Sequence, residues 1–370
     1  MTNRIDILVL GAGVVGLSAA RQLLARGARV TVLDPHPEGG QGSRAAAGVA
    51  IPSVRLLEDA AMQDFTRDAK PVLAEDLDAL GTHDALRRGQ GILRPMQNEK
   101  ARAALEARAQ HAPDWLGRWI SAEEVFALEP ALAGGALCGA YLDEQGHMVD
   151  TAAYLAALLH DVGRRGGQVR LSEAAQLVSD SAQGVEVRTS TATLKADWLV
   201  VAAGAWSGGL PGLPPLPVRP VRGQMLTVFH PTVRLTRIVS GPSYLAPWRA
   251  GEVVVGATEE NAGFASYPTP EGLLHLSAVL ARLAPALREA RFTGAWAGLR
   301  STTPNGRPLL GRYPGAARTL LATGHGGQGI LTGGLSGRAI AEYLLTGRSD
   351  AAAPFEPERV LAQPRPAETP

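Results

Sequence analysis

Hydrophobic positions near the N-terminus follow two rhythms. In RIDILVLGAGVVGLSAARQLLARGARVTVLD an apolar run from Ile5 to Leu10 meets a glycine turn, apolar residues then recur every third or fourth position, and a second run covers Val30 to Leu33. Unbroken runs of this length read as strands buried on both faces, and the three-to-four spacing reads as a helix, so the stretch predicts a β-α-β unit. The helical rhythm returns at about 56 to 80 and 98 to 118, and in SAEEVFALEP, where Ser121 and Glu124 have capping-box spacing. DTAAYLAALLHDVGRRGGQVRL predicts a helix and then a strand, and alternating segments lead on to the apolar strand of DWLVVAAGAW, extending a parallel sheet. At GLPGLPPLPVRPVRGQ prolines accumulate, and beyond them the rhythm becomes that of strands, in QMLTVF and the hairpin-like SYLAPWRAGEVVVGATEE. RTLLATGHGGQGILTGGLSGRAIAEYLLTG returns to strand, glycine loop and helix, so the C-terminal part is expected to complete the first domain. The predicted class is α/β: a parallel-sheet domain interrupted by a strand-rich second one. The proline-rich tail AAAPFEPERVLAQPRPAETP is expected to be loosely ordered.

Composition narrows the function classes. With 45% hydrophobic and 19% charged residues over 370 positions, the chain reads as a globular protein of two domains. Its 36 basic and 35 acidic residues are scattered, with no basic block to favour nucleic acid or an anionic membrane. Gly11, Gly13 and Gly16 interrupt the N-terminal apolar run and no small-residue cleavage site follows it, which argues against an export signal and for the cytoplasm. No stretch approaches the roughly 18 continuous apolar residues of a membrane helix. The single cysteine, Cys138, excludes an internal disulfide and a thiolate metal cluster, and no spacing of His with Glu or Asp suggests a metal.

Chemistry enters with the glycines. GAGVVG places Gly11, Gly13 and Gly16 in G-x-G-x-x-G spacing between a strand and a helix, with Asp34 at the end of the next strand. In a Rossmann-type unit the first glycine turns the chain, the second lets a pyrophosphate reach the backbone and the third lets helix and strand pack closely; the acid then meets the ribose hydroxyls. NAD and FAD are alike at this point. A second bare segment separates them. GHGGQGILTGG, residues 324 to 334, holds six glycines, and Gly324 to Gly329 lead from one strand into another helix N-terminus. Such an N-terminus would stabilise the charge that a reduced flavin gathers near N1, whereas an NAD enzyme has no use for it. Between the two loops, GGQGSRAAAGVAIP offers Ser43 and Arg44 to phosphates and small residues from Ala45 to Gly48 to a ring, and VVAAGAWS ends a strand in Ala203 and Gly204.

Taken in order, GAGVVGLSAARQLLARG, VTVLD, SRAAAGV, VVAAGAWS, RPVRGQML, GLRSTTPNGRPLLG and GHGGQGI span nearly the whole chain. This set resembles the FAD-dependent D-amino acid oxidase and glycine oxidase family, nearest to the bacterial glycine oxidases. The resemblance implies a doubly wound Rossmann-type FAD-binding domain made of 1–85, 146–217 and 299–350, an interleaved α+β substrate domain on an antiparallel sheet made of 86–145 and 218–298, and a tail, 351–370. It implies non-covalent FAD, contacted by Gly11, Gly13, Val14, Val15, Gly16 and Asp34, by Ser43, Arg44, Ala46, Ala47 and Gly48, and by Gln176, Ala203, Gly204 and Trp206. Arg300, His325, Gly326, Gly327, Gln328, Gly329 and Ile330 complete that set. The implied reaction is hydride transfer from Cα of glycine, a small D-amino acid or an N-alkyl glycine to flavin N5, with O2 as acceptor giving H2O2. Arg300 would fork the substrate carboxylate and Tyr244 would add a hydroxyl to it. A homo-oligomer and a part in supplying the thiamine thiazole precursor are implied as well. Two other readings stay open: an amino acid or proline-type dehydrogenase passing electrons to a quinone or carrier, and a nucleotide-binding protein without turnover.

Some positions depart from the family pattern. Ser301 stands where proline is usual and Asn305 where aspartate is usual, so the loop carrying Arg300 is expected to sit differently. Glu259 follows VVVGAT where relatives often carry a neutral residue; facing the pocket it would favour a substrate with a second positive charge, and otherwise it is a solvated strand end. Gly298 occupies the place of the cysteine that binds flavin covalently in some relatives. His325 is read as a structural hydrogen-bonder, and Ser207 lacks a nucleophile elbow.

Overall fold

In the computed structural model, which describes residues 4–81, 87, 88 and 90–363, the opening rhythm becomes β1 (Asp6–Leu10), α1 (Val14–Ala25) and β2 (Arg29–Asp34). In chain order there follow α2 (Ala60–Ala79), β3 (Ile92–Met96), β4 (Arg118–Ser121), β5 (Gly139–Asp143), α3 (Thr151–Arg164), β6 (Gln168–Leu171), β7 (Leu177–Ser181), β8 (Gly184–Arg188) and β9 (Thr193–Ala196). Next are β10 (Trp198–Val201), β11 (Arg219–Phe229), β12 (Ile238–Ser240), β13 (Tyr244–Pro247), β14 (Val253–Gly256) and α4 (Pro270–Leu283). The chain closes with β15 (Arg291–Thr302), β16 (Leu309–Arg312), β17 (Thr319–Thr323), α5 (Gly329–Thr346) and α6 (Pro357–Leu361).

One sheet has the order β16-β17-β10-β1-β2-β6, parallel from β17 to β6 with β16 running back at the edge. Its central strands are apolar on both faces because α1, α3 and α5 cover them; Val9, Val32, Leu199, Val200 and Leu320 are fully buried. Leu10 stands beside both Leu33 and Val201, so β1, β2 and β10 end together, and the chain leaves all three at one edge. Ligands of doubly wound sheets sit in the crevice beyond that edge.

The second sheet has the order β15-β11-β14-β13-β12-β3-β5-β4, antiparallel except between β12 and β3. Leu276 and Leu280 of α4 close one face together with Leu226 and Val255, and the opposite face carries Met225, Tyr244 and Trp296. Trp296 Nε1 donates to the Ala45 carbonyl at 2.8 Å, so this second face lies against the loop that follows β2.

Several expectations change. Residues 177 to 196 do not extend the parallel sheet; β7, β8 and β9 form a separate antiparallel meander, as the half-buried alternation of GVEVR suits, and only β10 joins β1. The helix expected over 98 to 118 stops at Arg108 because Pro113 bars the helical conformation just before it, and a turn at Gly117 leads into β4. The tail is not loose up to residue 363: Phe355 is buried 4.7 Å from the Phe65 ring, and α6 follows. β15 runs unbroken past 298, so the crossing between the sheets falls after Thr302 rather than at 298/299. The division expected at 85/86 lies outside the described residues. No described helix is long and apolar enough to cross a membrane, and no cluster of metal-ligating side chains occurs among the described residues.

Candidate active site

The first glycine loop is built as its spacing predicts. Gly11 has φ +110, and a Cβ there would stand 2.3 Å from the Ala202 carbonyl oxygen; at Gly16 it would stand 2.0 Å from the Gly11 oxygen. Gly16 is thus a packing residue, outside the cleft wall that Gly11, Gly13, Val14 and Val15 line. Gly13 begins α1 without capping it, and the Val14 N–H donates to Ser43 Oγ at 3.1 Å. Asp34 lines the cleft, yet its buried carboxylate already accepts N–H bonds from Ala12 (2.7 Å), His36 (2.8 Å) and Gly40 (3.1 Å). Holding the loop is its first task, and a ribose hydroxyl would share an oxygen already in use.

Besides Gly16, two more expected contacts are displaced. Arg44 turns away from phosphates: its guanidinium donates to the Glu38 and Gly39 carbonyls at 2.6 and 2.9 Å, and the residue is absent from the wall. Gln176 is exposed, with its N–H bonded to the Arg188 carbonyl; Glu173, Ala174 and Ala175 line the cleft in its place. Ala46, Ala47, Gly48, Ala203, Gly204 and Trp206 are in the wall.

The second loop enters beside them. Gly324 and Gly326 take φ +80 and +54, and His325, Gly326, Gly327, Gln328, Gly329 and Ile330 line the cleft. Gly333 and Gly334 serve packing instead: a Cβ on Gly333 would meet Val14 at 2.9 Å and one on Gly334 would meet Asp76 at 2.4 Å. Gln328 precedes the first residue of α5 without capping it through its side chain, and its Oε1 is buried without a partner. An uncapped N-terminus beside an orphaned acceptor fits a polar ligand laid across it. Ser301 explains one departure, since its hydroxyl accepts the Gly324 N–H at 3.1 Å and its carbonyl accepts the Gly326 N–H at 2.8 Å. Asn305 explains the other by donating to the Val360 carbonyl at 2.9 Å, which ties down the tail. His325 is buried with Nε2 2.8 Å from Ser336 Oγ, whose own hydrogen goes to Thr332. Nε2 therefore carries the proton, and burial lowers the imidazole to about 4, keeping it neutral and structural.

At the far end the cleft meets the second sheet. Arg300 stands opposite Val221 and Tyr244 opposite Gly256. A Cβ on Gly223 would lie 2.9 Å from Arg300 Nη2, and one on Gly256 would lie 2.6 Å from the Tyr244 hydroxyl. Two bare strand positions thus let a guanidinium and a phenol lie flat on the sheet, facing the cleft. Arg300 Nη1 donates to the Thr258 carbonyl at 3.0 Å, and burial pushes the Tyr244 hydroxyl up to about 12 against the opposing pull of Arg300. Glu259 does face the cleft, 3.9 Å from Arg300 Nη1, but it is already bonded to Arg55, so a distal cation on a substrate would find it engaged. Sequence reasoning passed over Arg55, Gly223 and Gly256. Arg55 sits in a loop with no rhythm to mark it, whereas an isolated glycine within a strand is a legible sign of close approach. Gly298 meets Ala45 at 2.5 Å from its would-be Cβ, leaving no room for a flavin-linking side chain.

The whole cleft has a volume of about 920 Å³ and runs from Asp34 and Glu173 to Tyr244, Glu259 and Arg300. Residues 6–343 match the family described as "DAO: FAD dependent oxidoreductase". The glycine oxidase of Bacillus licheniformis is 29% identical over 351 residues, covering 93% of this chain and 94% of that protein. The glycine oxidase of Pseudomonas aeruginosa is 31% identical over 352 residues, covering 92% and 95%. The crystal structure of glycine oxidase from Geobacillus kaustophilus superposes with a TM-score of 0.83 at 26% identity, covering 96% of this chain and 98% of that one.

Proposed function

This chain belongs to the FAD-dependent oxidoreductase family, and on that premise we propose that it oxidises glycine, small D-amino acids or N-alkyl glycines, with O2 as the acceptor. The observation that carries this reading is the pairing of the Arg300 guanidinium and the Tyr244 hydroxyl over the two strand glycines at the end of the cleft. A planar fork with a neutral donor beside it is a receptor for one carboxylate, and it fixes orientation as well as affinity. The loops 11–15 and 324–330 and the small residues 46–48 and 203–204 would hold FAD, which supplies a two-electron acceptor for the hydride on the substrate's Cα. The amine becomes an imine, which water hydrolyses to an oxo acid and ammonia or an amine; the two electrons and two protons end on O2 as H2O2. The protein's part is positioning: Arg300 and Tyr244 hold the carboxylate so that Cα is presented at a fixed place.

Anaerobic addition of amino acids of both hands tests the proposal, with bleaching of the yellow flavin expected for glycine-like substrates and peroxide released on admitting air. No bleaching by any of them would refute it, and turnover with dyes but not air would remove O2 as acceptor. Tyr244→Phe is expected to retain FAD and raise KM for glycine at least tenfold, the value of one hydrogen bond of ~1.5 kcal/mol or more to an ionised carboxylate, with kcat little changed.

A further inference from the structure

Resting on that reading of the cleft as an amino acid site, we propose that Glu259 is a specificity-determining residue, paired with Arg55 to restrict the site to substrates carrying a single carboxylate. The pair spans the cleft mouth. Arg55 comes from the loop between β2 and α2, on the side of the parallel sheet, and Glu259 from the loop leaving β14 of the other sheet. Their side chains are 61% and 48% exposed, so as a strut the ion pair adds little to stability. What it fixes is the charge met by an incoming substrate.

That charge can be counted. Among the described residues that line the cleft, the acids are Asp34, Glu173 and Glu259, and the first two lie at the opposite end from Arg300. The arginines at the substrate end are Arg55, Arg94 and Arg300. Arg94 is buried, donates to the Leu116 carbonyl at 3.1 Å, stands 4.0 Å from Asp143 and keeps its Nε without a partner, so it is counted apart from the exposed charges at the mouth. Arg55 and Arg300 remain, with the Glu259 carboxylate between them: bonded to the first and 3.9 Å from the second. Within the group Arg55, Glu259 and Arg300, two positive charges and one negative leave a single net charge, and one substrate carboxylate at the Arg300 fork neutralises it. A second carboxylate would meet Glu259 as a like charge and find Arg55 already taken. A second ammonium would have to draw Glu259 off Arg55 and leave that guanidinium unpaired. Rejection built from an unfavourable pairing is one of the two ways a site narrows its range.

Removing the negative member should therefore admit a second carboxylate, and only through Arg55. Calorimetric titration of the FAD-loaded protein with acetate and with malonate, which do not react, measures this in the wild type, Glu259→Gln, Arg55→Gln and the double variant. The malonate-to-acetate affinity ratio is expected to rise about three- to fivefold in Glu259→Gln, the scale of one exposed ion pair, and to fall back in the double variant. Anaerobic flavin reduction by D-aspartate relative to glycine should move the same way. A ratio in Glu259→Gln equal to that of the wild type, or a gain that survives loss of Arg55, overturns the proposal. Should no amino acid reduce the flavin in any of the four proteins, the amino acid reading falls, while the calorimetric ratio still decides the role of the pair.

Discussion

Arg300→Ala is expected to leave the protein folded and FAD bound, while lowering kcat/KM for amino acid substrates by roughly 2–4 kcal/mol, about 30- to 1,000-fold. The separation of effects follows from how the side chain is held. Its structural duty is one hydrogen bond, from Nη1 to the Thr258 carbonyl, and its guanidinium rests on the open face above Gly223. A guanidinium has five N–H donors in a rigid fork, so most of its capacity is left for a ligand. The side chain is about a quarter exposed, and an alanine here leaves a widened cleft rather than a sealed void. The loss should appear mainly in KM, because the carboxylate is bound alike before and during hydride transfer. Arg300→Lys keeps the charge without the fork and should recover only part of the loss. An unchanged KM in Arg300→Ala, measured on protein with full flavin content, would move the substrate carboxylate elsewhere.

What the sequence made legible, and what it hid, divides along physical lines. Short-range rules worked: the glycine turn before α1, the Ser121 cap and the second glycine entry at α5 all stand where spacing and turn chemistry put them. Local constraints of that kind are written in adjacent residues. Arg300 and Tyr244 were legible only through resemblance, because what brings them together is the pairing of β11, β13, β14 and β15, whose register no local pattern states. The direction of side chains was also hidden. Arg44, next to Ser43 in a glycine-rich loop, reads as a phosphate ligand, but the helical turn at Gln41–Ala45 sends it to the Glu38 and Gly39 carbonyls. Gly333 and Gly334 belong to the same glycine-dense segment as the loop 324–329, yet they lie inside α5, where bare backbone serves close helix packing against Val14 and α2. Glycine density marks close approach without saying what approaches.

The largest stability effect is expected away from the cleft, at Arg21→Met, with a loss of about 3–5 kcal/mol at neutral pH in urea unfolding. Arg21 of α1 is buried and joins two helices to its own, donating from Nη1 to Asp76 of α2 at 2.6 Å and from Nε to Asp161 of α3 at 2.8 Å. Methionine fills much of the same space, so the expected cost comes from stranded charge. Burial works to raise the Asp161 carboxyl, but hydrogen bonds from Arg164, Arg165 and Arg21 outweigh it and hold it at about 2. With two arginines left, Asp161 stays ionised in the variant. Asp76 is different: burial already raises it despite Arg21, and without Arg21 the nearest cation is Arg338 at 3.8 Å. A carboxyl raised above its unfolded value contributes stability at low pH, and loses it as pH climbs through the folded value. The raise at Asp76 is larger in the variant, so its deficit against the wild type should be greatest at pH 8 and shrink as pH falls towards 4. Below that, protonation of Asp161 erodes the wild type from about pH 4 down to 2, which narrows the gap further. Adding Asp76→Asn to Arg21→Met removes the stranded charge and should restore part of the loss at pH 8 and little at pH 4. A deficit equal at both pH values, unmoved by Asp76→Asn, would place the cost in packing and show that water reaches the carboxylate.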